Sequence, residues 1–171
     1  PKHGERDCQC GKKLHLGVAR NGVIVAETLT APNVDDAKTG VKMINNERYK
    51  VKAVIGDAAY DSREICEAAE DHGARVVVSP VKNARVGRQA PRARNRSVKR
   101  IEQIGRVCWK REAGYHGQGK AENTFFRYKS MIGDRLRSRD PDSQKTEVSL
   151  GCNILNRMFE CGRPRSVALR D

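Results

Sequence analysis

The chain has 171 residues, and its 34 Lys and Arg residues outnumber its 21 Asp and Glu residues to give a formal net charge of +13. This length fits a single domain with a core of its own, and no apolar run approaches the roughly 18 residues that a membrane-spanning helix needs, which argues against a membrane protein. A chain this basic typically has a polyanionic partner, above all nucleic acid, whereas a basic surface that only maintains solubility is the alternative.

Residues 12–29 predict an antiparallel hairpin. Leu14, Leu16 and Val18 alternate with other residues, as the side chains on one face of a strand do. Asn21-Gly22 follows, which is the strongest short signal for a hairpin turn. The next seven residues, 23–29, predict the returning strand.

Residues 32–79 predict a helix followed by a strand–helix–strand unit, whose two strands are parallel. Together with the hairpin, these strands predict a mixed sheet in an α/β domain. The predicted elements are a helix from a cap at Asp35 or Asp36 to Asn45, a strand at 51–55, a helix between the capping-box sequence Asp61-Ser62-Arg63-Glu64 and a left-handed Gly73, and a strand at 75–79.

Asp57 lies just past the end of the strand at 51–55. In open α/β sheets, ligands and chemistry gather at the carboxyl ends of the strands. The position of Asp57 therefore makes it the first candidate for a functional carboxylate.

Residues 81–100 are strongly basic, and together with Gly87 and Pro91 they predict a loop or mobile arm outside the core. An ordinary solvated loop is the alternative, but like charges repel unless an anion neutralises them, which favours contact with nucleic acid. The eight basic residues, with no acidic residue among them, are Lys82, Arg85, Arg88, Arg92, Arg94, Arg96, Lys99 and Arg100.

A helix is predicted from Lys120, with Glu122, Phe126 and Lys129 on one face beside an apolar stripe. Because burial of an ionised carboxylate is costly, a glutamate at this border suggests a functional role. The alternative is a boundary glutamate that is paired with Lys129 or simply exposed. Two further predictions are a short strand or helix from Ile101 to Trp109 and a final helix at about 146–160.

The six cysteines, except for Cys8 and Cys10, are scattered through predicted elements. This pattern predicts buried free thiols in the reducing cytoplasm, and no secretory signal is visible. A zinc site formed by His3, Cys8, Cys10 and His15 is the weaker interpretation, because the C-x-C spacing is tighter than zinc sites usually have.

Several segments, in their order and spacing, resemble the DDE transposases of prokaryotic insertion sequences, of the insertion-sequence-four and -five kind. The resemblance implies a ribonuclease-H-like fold, with the whole of 1–171 forming a catalytic domain. The segments are Lys13-Leu14-His15-Leu16, Leu29-Thr30, Gly56-Asp57-Ala58-Ala59-Tyr60-Asp61, Pro80-Val81-Lys82-Asn83-Ala84-Arg85 and Ile154-Leu155-Asn156-Arg157-Met158.

The family also has a Tyr, Arg, Glu, Lys signature around its last catalytic carboxylate, which Tyr115, Glu122 and Lys129 match. Gln118 stands where the family has Arg. The resemblance implies that Asp57 is the second catalytic carboxylate and Glu122 the third, both binding metal. It also implies that Tyr115, Lys120 and Lys129 lie near the DNA phosphate.

The family's first catalytic Asp lies on a strand that precedes Lys13, and its sequence context is absent from this chain. Asp7 lacks that context and lies too close to the next strand. We therefore expect a partial catalytic domain that lacks its first strand and the first of its three carboxylates.

The implied activity is metal-dependent cleavage at transposon ends followed by strand transfer, with two Mg²⁺ or Mn²⁺ ions in the complete enzyme. The implied partners are double-stranded DNA, both terminal repeats and target, and further copies of the chain assembled on it, without a membrane. One alternative is a catalytically inactive remnant or regulatory fragment that only binds DNA. Another is a different ribonuclease-H-like nuclease, such as a resolvase, against which the spacing from Tyr115 to Lys129 argues.

Overall fold

The structure, a computed structural model, describes residues 11–47 and 50–162, so the predictions for His3, Asp7, Cys8 and Cys10 lie outside the described residues. Strands and helices alternate as predicted for an α/β domain. The strands are β1 (Lys13–Val18), β2 (Ile24–Thr30), β3 (Ala53–Gly56) and β4 (Arg75–Val78), and the helices are α1 (Asp36–Asn45), α2 (Arg63–Asp71), α3 (Arg92–Ala113), α4 (Gln118–Met131) and α5 (Pro141–Glu160).

The predicted hairpin is confirmed. β1 and β2 pair antiparallel, with Lys13 opposite Thr30 and Leu16 opposite Glu27. Gly22 in the turn has a φ of 94°, a left-handed conformation that glycine adopts without steric cost. The predicted strand–helix–strand unit is confirmed as well, because β3 and β4 are parallel and in register from Ala53 and Arg75 onward.

The α/β class is confirmed, but the strands form two separate pairs. Among the described residues no ladder joins the hairpin to the parallel pair, so a single mixed sheet is not formed there. The reason is that each connection is local. The hairpin turn joins β1 to β2 and the crossover helix α2 joins β3 to β4, but neither aligns one pair with the other.

Each strand pair has its own helices and its own part of the core. Ile24 of the hairpin packs with Tyr128 of α4 and with Val148 and Leu155 of α5. Fully burying an aliphatic side chain of this size contributes about 1.5–3 kcal/mol. The Asn156 amide also ties α5 to β2, because it donates to the Ile24 carbonyl and accepts from the Ile24 N–H, both at 2.8 Å.

The second part of the core lies around the parallel pair. There, Ile65 of α2 packs with Ala37 of α1 and Val78 of β4. Ser62 begins α2 by accepting a hydrogen bond from the Ile65 N–H at 3.2 Å. The helix is followed by Gly73 with a φ of 64°, as predicted. Asp61, included in the predicted capping box, instead binds Arg94.

The prediction of a loop across 81–100 is wrong for its second half, since α3 begins at Arg92. α3 bends sharply at Gly105, where φ is 78° and ψ is 157°. The bend explains how Arg100 reaches Glu112 at 2.8 Å, because twelve residues of straight helix would separate them by about 18 Å along the axis. The segment at 101–109, predicted as a short strand or helix, is helical on both sides of the bend.

Two further predictions need correction. α5 begins at Pro141, not near Thr146, because Asp140 caps it by accepting from the Asp142 and Ser143 N–H groups. Of the four free cysteines in the described residues, Cys66 and Cys152 are buried, but Cys108 and Cys161 are exposed. No helix in the described part of the chain is long and apolar enough to cross a membrane.

Candidate active site

Asp57 lies at the carboxyl end of β3, as the sequence predicts. It caps the short 3₁₀ turn Ala58–Tyr60, and its Oδ1 accepts a hydrogen bond from the Ala59 N–H at 3.0 Å. The side chain is exposed. The cap holds one carboxylate oxygen against the backbone, so the carboxylate has a defined position while it remains accessible to a ligand.

The turn before α4 packs directly against β3. Gly114 ends α3 in a left-handed conformation with a φ of 74°, and a 3₁₀ turn at Tyr115–Gly117 leads into α4. A Cβ atom added to Gly117 would lie 2.7 Å from Ile55 Cδ1, so any larger residue would require Ile55 to rotate away. The backbone around Tyr115 is therefore close to the strand that carries Asp57.

Glu122 is exposed on α4, on the same face as Phe126 and Lys129, which are also exposed. None of the ion pairs found among the described residues joins Glu122 to Lys129. Seven residues of helix separate the two by about 10 Å along the axis, which explains why the pair does not form. The pair with Lys129 considered as an alternative is therefore not formed, whereas the exposed glutamate considered beside it is what the structure shows.

Asp57 and Glu122 both act electrostatically on Tyr115. Burial is the largest cause of a raised Tyr115 pKa, and the negative charges of Asp57 and Glu122 raise this pKa further, whereas the positive charge of Arg106 lowers it. The effect of a charge on a pKa weakens with distance. Three residues that lie on two separate segments of the sequence are thus coupled electrostatically.

Two neighbouring side chains of α3 contact the ring of Tyr115. It packs against the buried Trp109 with ring centroids 6.1 Å apart, and Lys110 Nζ lies 4.7 Å from its centroid. Lys110 was not among the predicted site residues. A basic residue next to a tryptophan is too common a pattern to indicate a site from the sequence.

Arg106 is a second residue near the site that sequence reasoning missed. Its guanidinium donates to Ser79 Oγ at 2.9 Å and to the carbonyls of Pro80 at 2.6 Å and Val81 at 3.2 Å. These bonds tie α3 to the carboxyl end of β4, beside β3. No local signal marks Arg106, because its position depends on the bend at Gly105.

The predicted basic residues divide into two groups. Arg94 is partly buried and bound to Asp61 at 2.9 Å, whereas the others are exposed, including Arg100, which is bound to Glu112 at 2.8 Å. On α3 the exposed residues Arg92, Arg96 and Lys99 recur at helical spacing on one face. The exposed predicted residues are Lys82, Arg85 and Arg88 before α3, Arg92, Arg96, Lys99 and Arg100 on α3, and Lys120 and Lys129 on α4.

The carboxylates near Tyr115 suit a hard divalent cation. Within residues 11–47 and 50–162 no group of three or more His, Cys, Asp or Glu side chains could hold a metal ion. Two carboxylates nonetheless fit Mg²⁺, which commonly takes one or two together with waters and substrate phosphates. Asp36 is a further carboxylate of the described chain. Burial is the main cause of a raised Tyr60 pKa, and the negative charge of Asp36 raises that pKa further. The Asp36 carboxylate is, however, already bound to Lys13 Nζ at 2.6 Å.

Comparison with known proteins gives the family of this chain. No solved structure is significantly similar to it. A family model described as "Transposase DDE domain" matches residues 1–157. The match spans both segments that carry Asp57 and Glu122, and it confirms the resemblance to a DDE transposase. The chain therefore belongs to the DDE transposase family.

Proposed function

We propose that this chain cuts DNA at the ends of a mobile element and joins the freed end to target DNA, with Asp57 and Glu122 as its metal-binding carboxylates. Membership of the family supports a role in transposition. Two observations support the proposal for the site: the turn before α4 packs against β3, at whose carboxyl end Asp57 lies, and Asp57 and Glu122 both act electrostatically on Tyr115 in that turn.

Asp57 and Glu122 would hold Mg²⁺, or Mn²⁺, through oxygen ligands, and two such ions are expected in the complete enzyme. Bound there, the ions supply an activated water and stabilise charge on the leaving oxygen. A tyrosine hydroxyl is protonated at neutral pH, and the raised pKa of Tyr115 reinforces this state, so Tyr115 can donate a hydrogen bond to a phosphate oxygen. The exposed Lys129 faces the same side as Glu122 and would contact that phosphate.

The exposed basic residues of α3 would follow the DNA backbone. Phosphate contacts position a protein on DNA without reading its sequence. Arg92, Arg96 and Lys99 form one exposed face, with Lys82, Arg85 and Arg88 in the segment before it. The proposed partners are double-stranded terminal repeats, target DNA and further copies of this chain assembled on them in the cytoplasm.

A second candidate function is DNA binding without cleavage. Gln118 stands where the family has a cation, and among the described residues no group of three or more metal-binding side chains is found, whereas the family uses three carboxylates. Such a protein would keep the basic face of α3 and occupy transposon ends without cutting them.

One assay separates the two functions. Labelled duplexes from the DNA that flanks the gene are incubated with the chain and Mg²⁺ or Mn²⁺, beside Asp57→Asn and Glu122→Gln. Loss of a group that merely supports a metal ligand costs about 10–100-fold, so loss of a ligand should lower cleavage at least as much. Asp134→Asn and Glu70→Gln, which remove exposed carboxylates elsewhere, should cleave normally.

Cleavage that survives both Asp57→Asn and Glu122→Gln would refute the proposed site. Tight binding of the flanking DNA without any cleavage by the unaltered chain would instead establish the second candidate.

A further inference from the structure

Phe126 is an exposed aromatic residue one helical turn beyond Glu122. Its side chain is 71% exposed, and it is the only aromatic residue among the large exposed hydrophobic residues of the described chain. A ring in water is unfavourable unless a partner covers it. Because Glu122 and Phe126 are four residues apart on α4, their side chains are neighbours on the helix surface.

The surface around Phe126 is open and polar. Gly119, Asn123 and Ser130 are exposed on the same side of α4. A Cβ atom added to Gly119 would meet nothing within 4 Å, and the residue is helical, so neither packing within the chain nor an unusual conformation requires glycine there. Since glycine is a poor helix former, its presence beside Glu122 is consistent with the close approach of a partner.

These surroundings favour a nucleotide base over a protein as the partner. Protein interfaces use contiguous apolar patches, whereas a base needs a single ring to stack on. The neighbouring exposed apolar residue on α4, Met131, is five residues away and lies on a different side of the helix. The charged residues on this face are Glu122 and Lys129, and the net charge of +13 suits DNA and opposes self-association in the absence of DNA.

We propose that Phe126 stacks on an unpaired base within the first two nucleotides from the phosphate that would be cleaved beside Asp57 and Glu122. This inference rests on the proposed function. One helical turn rises about 5.4 Å, and successive nucleotides along one strand are about 3.4 Å apart, which sets this range. Phe126 is thereby a positioning residue, which holds a strand end in place while the carboxylates act.

The test uses the full chain, Mg²⁺ and two duplexes of arbitrary sequence. Both contain one 2-aminopurine, a fluorescent base that is paired in one duplex and opposite an abasic site in the other. The unaltered chain should bind the duplex with the unpaired base about 5- to 100-fold more tightly than the paired one, as expected for one base stacked on an aromatic ring, and should quench its fluorescence.

Phe126→Ala should lose this preference and the quenching while it binds the paired duplex as before, and Phe126→Tyr should keep both. Leu150→Ala, which removes another exposed apolar side chain, should behave like the unaltered chain. Because Phe126 is exposed, neither of its variants should unfold, and thermal melting checks this.

Binding of both duplexes by Phe126→Ala with the preference intact would overturn the stacking inference and leave the proposed function standing. Failure of the unaltered chain to bind either duplex would overturn both. If Phe126→Ala instead converted a DNA-free oligomer into monomers in sedimentation, Phe126 would belong to a protein interface and the inference would be wrong.

Discussion

Asp57 and Asp61 lie four residues apart and have opposite environments. Asp57 is exposed, whereas the Asp61 side chain is only 4% exposed and accepts from Arg94 Nε at 2.9 Å, from Arg94 Nη2 at 3.2 Å and from the Val81 N–H at 3.1 Å. A buried carboxylate requires such partners because its desolvation is costly. We therefore assign Asp61 a structural role, whereas the exposed Asp57 is the carboxylate that we propose for chemistry.

Removal of Arg94 should destabilise the protein. Loss of one partner of a buried ion pair leaves an uncompensated charge and typically costs about 3–5 kcal/mol, and we expect the lower part of that range for Arg94→Ala because Arg94 is 19% exposed. The double variant Asp61→Ala/Arg94→Ala should cost less than the two single losses together. Urea unfolding measures these free energies.

Arg96→Ala, an exposed substitution on the same helix, is the matched control and should change the free energy of unfolding by less than about 0.5 kcal/mol. Equal effects of Arg94→Ala and Arg96→Ala would contradict a structural role for Arg94 and return it to the residues expected to contact DNA.

His15 is a second residue whose environment leads to a testable prediction. It is 6% exposed, and its Nε2 lies 2.9 Å from Thr30 Oγ1 across the hairpin. Burial is the main cause of a lowered His15 pKa, with Asp36 opposing the shift and Lys13 adding to it. Below the ordinary pKa of 6.5 the unfolded chain therefore takes up a proton that the folded chain refuses.

The contribution of His15 should make the protein less stable as the pH falls from 6.5 towards the lowered pKa, by at most about 1.4 kcal/mol per pH unit. Free energies of unfolding at pH 7.5 and 5.5 should therefore differ less in His15→Gln than in the unaltered chain. His116→Gln, at an exposed position, should retain the full difference. An unchanged difference in His15→Gln would show that other groups cause the acid sensitivity.

At the scale of elements, α3 departs most from the sequence prediction. Its basic run, together with Gly87, Pro91 and few apolar residues, indicated a loop, although Arg and Ala are good helix formers. The helix is stabilised by contacts that are distant in sequence, such as Arg94 with Asp61 and Arg106 with the end of β4. A local pattern cannot show these partners.

Because α3 is a helix, its basic residues have fixed positions relative to one another. Arg92, Arg96 and Lys99 lie on one rigid face, so they should contact phosphates together. Their triple substitution by Ala should reduce the slope of log affinity against log salt by about 2.7, since each phosphate contact contributes about 0.9. Fluorescence anisotropy with a short duplex at several salt concentrations measures this slope.

The control removes the same charge elsewhere, through alanine at the exposed Lys38 and Lys42 of α1 and at Lys52 before β3. This variant should retain most of the slope. If the two triple variants lowered the slope equally, net charge alone would explain DNA binding, and the face of α3 would have no special role.

At the scale of the whole molecule, the sequence predicted the order of the elements well, because turns, caps and apolar periodicity are local. As predicted, Asn21-Gly22 forms the turn after β1, and Gly73 follows the end of α2. The arrangement of the strand pairs could not be predicted in the same way, since it depends on packing against α4 and α5. The pairing of Asp57 with Glu122 is implied by the family resemblance, whereas no sequence signal marked Arg106 and Lys110, which act on Tyr115.

The most direct test of the central claim is to locate the metal site chemically. Fe²⁺ is bound in place of Mg²⁺ in the presence of duplex DNA, and ascorbate and peroxide are added. The radicals formed at the ion cut the protein backbone near it, and mass spectrometry identifies the cuts. We expect cuts near residues 57 and 122 that excess Mg²⁺ suppresses and that Asp57→Asn and Glu122→Gln each abolish. Cuts elsewhere, or cuts that persist in both variants, would contradict a shared metal site at Asp57 and Glu122.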